Sequence, residues 1–556
     1  MLPAESAIPR VRRFGVAAIA LTACAAIAVA AVTGAQPAPR LSLRGAAETI
    51  AAADLLRDIT YLASDELAGR GTPSPGQDLA AAYVEKALGE AGIRPFGDKG
   101  TYRQHYVVTR ATLRPQETTM TIGGRALPYG ADFILTSFLK PAVSSGGVVY
   151  VGTGIRSPKL GWDPYAHVDV RGKWLLVHGP TMLPEGVTRA MLGTAGADHM
   201  APAQEARTRG ALGLLVIPSG DALTSLDTVT RRATVGRDLN PSVGWAYAAS
   251  PLPQLVLSKA ALAALVDGEP STADALLAAD VSHRYGESFA LGRGKVVTLR
   301  LAADTDDTNA YNVVGIIDGT DRQLKDEYLT VSSHLDGAIG RATTGDTIYN
   351  AADDNASGSA GNLAIARALV QGPPPKRSIV LIWDTGEETG LWGSRHIAYG
   401  DMSRRIVAHT CVDMIGRTRA PGTSVPGQEN LAGPGEVFVA GPGVLSTAMD
   451  RALARVARDF PYATQNRKYD NAAESFFYPR TDAAPYFERR IPYVEFFTGL
   501  HEDYHRPSDD VSKIDPVKME AIARTVYVFV STLADDPERP RMDKTLPPNL
   551  VALLAR

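Results

Sequence analysis

The sequence predicts an α/β protein: a mixed, mostly parallel sheet sandwiched by helices, with a β-rich unit inserted into it. Three observations carry this. The short apolar runs YLTVSS at 328–333, SIVLIW at 378–383 and IVAHTCV at 406–412 have the composition and length of strands buried on both faces. A stretch of small residues at about 356–370, between the first two runs, reads as a helix, so strand and helix alternate. Between about 113 and 298 the character changes to recurring strand-like runs: GVVYVG, KWLLVHG, GLLVIPS and QLVLS.

The first element is a leader. Arg10, Arg12 and Arg13 precede an apolar run over 14–32, followed by Thr33, Gly34, Ala35 and a proline-rich stretch. That order is the charged, apolar and small-residue plan of a secretory signal peptide, and it places the mature protein outside the cytoplasm, secreted or periplasmic. The run is also long enough for an uncleaved membrane anchor, and LTAC at 21–24 resembles a lipoprotein box. Residues 46–62 place Ile50, Leu55, Ile59 and Leu62 at helical spacing, and 77–92 make a second helix stopped at Gly92. Between them ASDELAGRGTPSPG reads as a loop.

The β-rich unit covers 113–298 and separates the stretch 44–112 from the stretch 299–535. Within the insert AQEARTRGALG is a short helix closed by glycine. The main domain resumes with NVVGIIDG at 312–319, and 491–498 forms the last central strand, with Glu495 set among Val and Phe. Asp515 and Pro516 open the last helix as cap and first-turn proline, and it runs to about 534. Residues 536–556 read as a loose tail. A length of 556 residues fits two or more domains. The formal charge of −3 offers no basic surface for nucleic acid. Of the two cysteines, Cys24 lies in the leader, and Cys411, inside an apolar strand, reads as a small buried hydrophobe.

Candidate chemistry collects where strands end. His334 follows the first run, Glu387 and Glu388 lie just past the second, and Asp413 ends the third. Asp353 and Asp354 open the small-residue helix, and His501 and His505 arrive in HEDYHRPSDD. Ligands in open α/β sheets bind outside the carboxyl ends of strands, so these groups converge by topology. Imidazole with carboxylate is a zinc donor set. A pair of zinc ions needs one bridging carboxylate and about two further ligands on each metal. Asp336 is placed to accept the second ring N–H of His334.

These motifs resemble the co-catalytic zinc aminopeptidase family that includes secreted bacterial leucine aminopeptidases and, more distantly, glutamate carboxypeptidase. The matching strings are HLD, AADDNASG, GEE, DMIGR and DYHRPSD, in that order. Ala351 stands where the family usually has Gly. The resemblance implies the zinc exopeptidase fold, with a protease-associated domain as the insert. It implies two Zn2+ held by His334, Asp354, Glu388, Asp413 and His505, with Asp354 as the bridge. It also implies Glu387 as general base, with Tyr504 helping to hold the oxyanion. The expected activity is an exopeptidase that releases N-terminal residues from peptides. A carboxypeptidase of the same family is the alternative, with Arg341, Arg417 and Arg506 near the motifs. A non-catalytic receptor scaffold and a one-zinc glutaminyl cyclase-like acyltransferase come from other classes; the complete ligand set argues against both.

Overall fold

The computed structural model describes residues 40–137, 141–179, 182–192, 199–218, 243–246, 252–337, 345–420, 428, 430–471, 481–547, 550, 551 and 554. The leader and Arg341 lie outside them. Among the described residues no helix is long and apolar enough to cross a membrane.

The strands of the central sheet are β1 (Arg103–Leu113), β2 (Ala303–Ile317), β3 (Tyr328–His334), β4 (Ser378–Asp384), β5 (Ile406–Val412), β6 (Glu436–Ala440), β7 (Thr464–Asn466) and β8 (Tyr493–Phe497). Their order across the sheet is β1, β2, β4, β3, β5, β8, β6, β7; Val243–Ala246 pairs with the outer side of β1, and Arg94–Pro95 with β2. The middle four, β4, β3, β5 and β8, run parallel. The rest pair antiparallel except β6 with β7. Every residue of β3, β4, β5 and β8 is buried, as continuous apolar runs require when both faces are covered.

Helices α1 (Ala52–Leu62), α2 (Pro75–Glu90), α3 (Gly358–Gln371), α4 (Thr447–Asp459) and α5 (Pro516–Asp535) contribute to one large core with Val331, Leu381, Val412 and Phe496 of the sheet. The other face buries Val380 and Ile382 with Ile397 and Tyr486, which belong to helices Trp392–Tyr399 and Ala483–Glu488. α3 can lie close to β5 because it opens on glycine: a Cβ on Gly358 would sit 2.3 Å from the Val412 carbonyl. Asp515 caps α5 through the Lys518 N–H, with Pro516 in the first turn, as the sequence predicts.

Four expectations change. The single helix over 46–62 is two, Leu43–Ala47 and α1, with Ala51 extended between them. Side chains of α5 hold the break: Arg524 donates to the Ile50 carbonyl at 2.8 Å, and Glu520 accepts the Ala52 N–H at 2.6 Å. The described part of the tail is not loose. Leu550 is fully buried in a cluster with Cys411, Leu445, Phe487 and Tyr493, and Lys544 reaches Asp450 at 2.7 Å. The insert's last strand, Val297–Leu301, runs past the expected boundary, and β1 and β2 then carry the chain back as a paired ribbon. Among the described residues the insert holds a six-stranded and a four-stranded sheet around cores of its own, one of them built on Trp174, Leu215, Leu255 and Leu299. GVVYVG, KWLLVHG, GLLVIPS and QLVLS supply four strands of the larger sheet, and the short helix is Pro202–Thr208.

α3 begins later than the sequence suggests, because Ala352–Ser357 forms a wider irregular turn in which Asp354 and Asn355 leave helical geometry. Ala351 enters that turn with φ 50° and ψ 52°, the left-handed region, where a Cβ crowds the following carbonyl. This explains why glycine suits the position. Ala351→Gly is therefore expected to stabilise the fold by about 0.5–1 kcal/mol, because removing about 1–2 kcal/mol of strain outweighs the larger unfolded-state entropy of glycine. Denaturant unfolding of the two proteins side by side checks it; a lower midpoint for the glycine variant would contradict it.

Candidate metal centre

The parallel middle of the sheet delivers the functional groups to one edge. His334 is the last residue of β3, Glu387 and Glu388 follow β4, Asp413 follows β5, and the segment from His501 to Asp509 follows β8. Asp354 comes from the turn before α3. Two triads result, His334 with Asp354 and Asp413, and Asp354 with Glu388 and His505; within each, one donor atom per residue lies within 4.8 Å of the others.

Asp354 belongs to both, and its two oxygens are divided between them. Oδ1 lies 3.3 Å from His334 Nε2, which is also 3.3 Å from Asp413 Oδ1. Oδ2 lies 3.1 Å from His505 Nε2, which is also 3.1 Å from Glu388 Oε2. His334 and Asp354 are 2% and 4% exposed, whereas the His505 side chain is 40% exposed, so the second triad is the one that meets solvent.

The electrostatics are those of a crowded anionic site. Burial lowers the His334 imidazole, but the Asp413 charge and hydrogen bonds to Asp354 and Asp413 outweigh it and hold the group well above its ordinary value. His505 is likewise lowered by burial, yet hydrogen bonds to Asp354 and Glu388 carry it up to about 10. Burial pushes Glu388 up to about 7, with the Asp354 charge adding to it. It also raises Asp413. Asp354 goes the other way: its two histidine partners overcome burial and hold it below the usual carboxylate range. Glu388 Oε1 is buried without a hydrogen-bond donor among the described residues, and beside Asp413 Oδ1, also buried, the His334 imidazole stands at 3.3 Å. Buried carboxylate oxygens lacking protein donors, facing imidazole nitrogens across a shared carboxylate, fit a pair of divalent cations such as zinc.

The supporting contacts differ in detail from the sequence reading. His334 Nδ1 donates to the main-chain carbonyl of Asp336 at 2.9 Å, while the Asp336 carboxylate stands 3.9 Å away. That carboxylate instead accepts the N–H groups of Glu387 and Glu388, at 3.2 and 3.3 Å. Asp336 thus fixes the imidazole with its backbone and the paired glutamates with its side chain. His501, the rival ligand, faces Asp353 Oδ2 at 3.3 Å and accepts from Arg417 at 3.1 Å; it belongs to neither triad.

Burial pushes Glu387 well above its ordinary value, with Glu388, Asp482 and Asp413 adding to the rise and His334 opposing it. The Tyr504 ring stacks on His505 with centroids 3.7 Å apart. Its phenol is raised by burial and then by Asp354, Glu388, Glu387 and Asp413, so it keeps its proton. Glu495 accepts from Thr481 at 3.0 Å, and burial with the Asp413 charge pushes it up to about 8. The Cys411 thiol is pushed up by burial, which suits a packing role rather than a nucleophile.

Asn355 and Asp509 also shape the centre, without a signal of their own in the sequence. Asn355 accepts from the Met414 N–H at 3.2 Å and donates to the Val412 carbonyl at 3.1 Å, tying the Asp354 turn to the strand that ends at Asp413. The Asp509 carboxylate accepts the N–H groups of Asp353 and Asp354, at 3.0 and 3.1 Å. Both residues stand inside the quoted strings AADDNASG and DYHRPSD, but nothing in a string distinguishes a ligand from the residue that holds its backbone.

Residues 312–530 match the model of peptidase family M28. The chain is similar to a probable leucine aminopeptidase of Trichophyton verrucosum, 26% identical over 220 residues that cover 38% of this chain and 55% of that one. A probable leucine aminopeptidase of Arthroderma benhamiae matches with the same identity and coverage. The chain therefore spans about half the length of these curated relatives. Among solved structures, the aminopeptidase from Aneurinibacillus sp. strain AM-1 shares the fold, with a TM-score of 0.50 at 18% identity over 91% of this chain and 99% of that one. The segment that matches the family model, residues 312–530, holds both triads.

Proposed function

We propose that this chain is a zinc-dependent metallo-exopeptidase that removes N-terminal residues from peptides. The observation that carries the reading is the Asp354 carboxylate divided between two otherwise separate histidine-carboxylate groups. His334 and Asp413 would hold one zinc, Glu388 and His505 the other, and Asp354 both. When bound, the two ions would lower the pKa of a shared water and polarise the scissile carbonyl.

The chain's own residues then have defined tasks. Glu387, set beside a ligand and tied through its N–H to Asp336, takes a proton from the attacking water and passes it to the leaving amine. A carboxyl held above its usual range is a stronger base than a free one. Tyr504 retains its proton and donates a hydrogen bond to the developing oxyanion. Asp336 keeps both glutamates in register.

The end of the peptide follows from charge. A centre crowded with carboxylates favours a cationic α-amine. A carboxypeptidase needs arginines free to grip a carboxylate, and Arg417 is buried and already committed to Asp503 at 2.9 Å and to His501. Arg506 is exposed. The full ligand set speaks against a receptor scaffold that has lost its metals and against a one-zinc cyclase. We read the insert as a protease-associated domain bordering the cleft, and the leader as directing export.

Three outcomes are expected. The metal-stripped protein should bind two equivalents of zinc with an affinity that rises with pH. His334 and His505 carry protons at neutral pH in the metal-free chain and must release them, so binding strengthens toward pH 10 and weakens as acid restores the protons. Titration calorimetry in buffers of different ionisation heat measures both; a single equivalent, or no proton release, refutes this arrangement. Glu387→Gln should lower kcat by about 10²–10⁴-fold with zinc content and unfolding midpoint unchanged, and loss of zinc instead would mean that the two glutamates have exchanged roles. The function itself is tested with one peptide in free, N-acetylated and C-amidated forms, read by mass spectrometry. The free and amidated forms should lose N-terminal residues and the acetylated form should not; cleavage that survives acetylation and stops on amidation would make the enzyme a carboxypeptidase.

A further inference from the structure

We propose that Arg70 is a positioning residue that locks the loop after His334 to the segment before Asp354, and so sets the affinity of the metal centre. The inference rests on the zinc reading above, and gives a role to the ELAGR string at 66–70, which the mechanism leaves unused.

Arg70 is fully buried. Its guanidinium donates from Nε to the Leu335 carbonyl at 2.8 Å, from Nη1 to the Asn350 carbonyl at 2.9 Å and to that of Leu62, and from Nη2 to the Ala351 carbonyl at 3.0 Å. Leu335 follows the ligand His334, and Asn350 and Ala351 lead into Asp354. One planar group thus spans two ligand-bearing segments that are separate in sequence. Among the described residues its hydrogen-bond partners are all main-chain carbonyls. Burying a cation this way is costly, and burial pulls Arg70 down to about 10 despite the raising charges of Asp336, Asp509, Asp354 and Glu388.

The turn that delivers the side chain reaches both segments as well. Ala68, Gly69 and Arg70 have φ of 45°, 81° and 60°, three successive residues in the left-handed region. Such strain persists only where the surroundings over-determine it. Gly69 accepts the Gly337 N–H at 3.1 Å, and a Cβ on Gly69 would lie 2.6 Å from the Tyr349 carbonyl. On the opposite side Asp509 takes the N–H groups of Asp353 and Asp354, and its own carbonyl accepts that of Ala352 at 3.1 Å. The segment from Asn350 to Asp354 is therefore held through its carbonyls by a buried cation and through its N–H groups by a buried anion.

Lysine should not substitute. An ammonium offers three donors from one point, whereas the guanidinium forks to carbonyls on both segments. Groups that orient metal ligands typically cost 10–100-fold in affinity or activity when changed.

The test uses the full-length protein with Arg70→Lys, and Arg70→Gln should the lysine variant not fold. The control is Arg377→Lys. Arg377 is another fully buried arginine, whose carbonyl partners Leu533, Asp536 and Glu538 lie outside the site. Zinc affinity, kcat, KM and amide hydrogen exchange are measured for each. The expected result for the Arg70 variant is about 10–100-fold weaker zinc binding, a lower kcat with little change in KM, and faster exchange in peptides covering 331–337 and 345–356. The control should lose stability without these effects. Wild-type zinc affinity and exchange in the Arg70 variant would overturn the proposal, and so would an equal loosening of those peptides by Arg377→Lys. If the wild-type protein bound no zinc, the metal reading would fall, and the exchange measurement, which needs no metal, would still decide whether Arg70 clamps the two segments.

Discussion

Negative charge concentrated in a buried place is the constraint on which the rest of this structure depends. Asp336, Asp354, Asp384 and Asp413 are buried at the carboxyl edge of one sheet, Asp482 and Glu495 are buried as well, and His334 and the half-open His505 are the imidazole partners in the triads. Carboxylates taken out of water are stable only if paired, protonated or bound to a cation. In the metal-free chain burial pushes Glu388 and Asp482 both up to about 7, which favours their neutral forms. Divalent cations would relieve the same repulsion without protons.

The fold meets this constraint with backbone rather than with countercharges. Asp336 is held by two N–H groups, Asp509 receives those of Asp353 and Asp354, and the Asp353 carboxylate accepts the Gly416 N–H at 2.6 Å. Arg70 and Arg417, both buried, spend their hydrogen bonds on main-chain carbonyls and on His501 and Asp503. Conformational strain gathers in the same place: Arg70, Ala351, Leu391, Met414 and His505 all have positive φ, and each lies on a segment that carries or contacts a triad residue. Such residues cost of order 1–3 kcal/mol each and cluster where the exact placement of a side chain matters more than local comfort.

The insert is built on different terms. It has its own apolar cores and joins the main sheet through the long β1–β2 ribbon. The ribbon reaches the segment before Glu387, where the Tyr106 hydroxyl donates to the Thr385 carbonyl at 2.8 Å.

The sequence by itself determined the strands of the middle sheet and the groups at their ends. A run such as IVAHTCV can only be satisfied between two covering layers, and parallel strands put their carboxyl ends together, so His334, Glu388 and Asp413 were legible as neighbours. The cap of α5 was legible for the same reason: Asp-Pro is a local signal with local chemistry. Tertiary structure alone decided what depends on partners distant in the chain. It divided the two oxygens of Asp354 between two histidines, sent His501 to Asp353 rather than to a triad, and turned the Asp336 backbone, not its carboxylate, toward His334. It broke the first helix where Arg524 and Glu520 offer better partners, and packed Leu550 of the tail against Cys411. It also placed Arg70 between two segments more than 260 residues further along the chain. Each of these outcomes is a competition among buried polar groups for a limited set of partners, and the winner is fixed by three-dimensional proximity, which no local pattern of residues encodes.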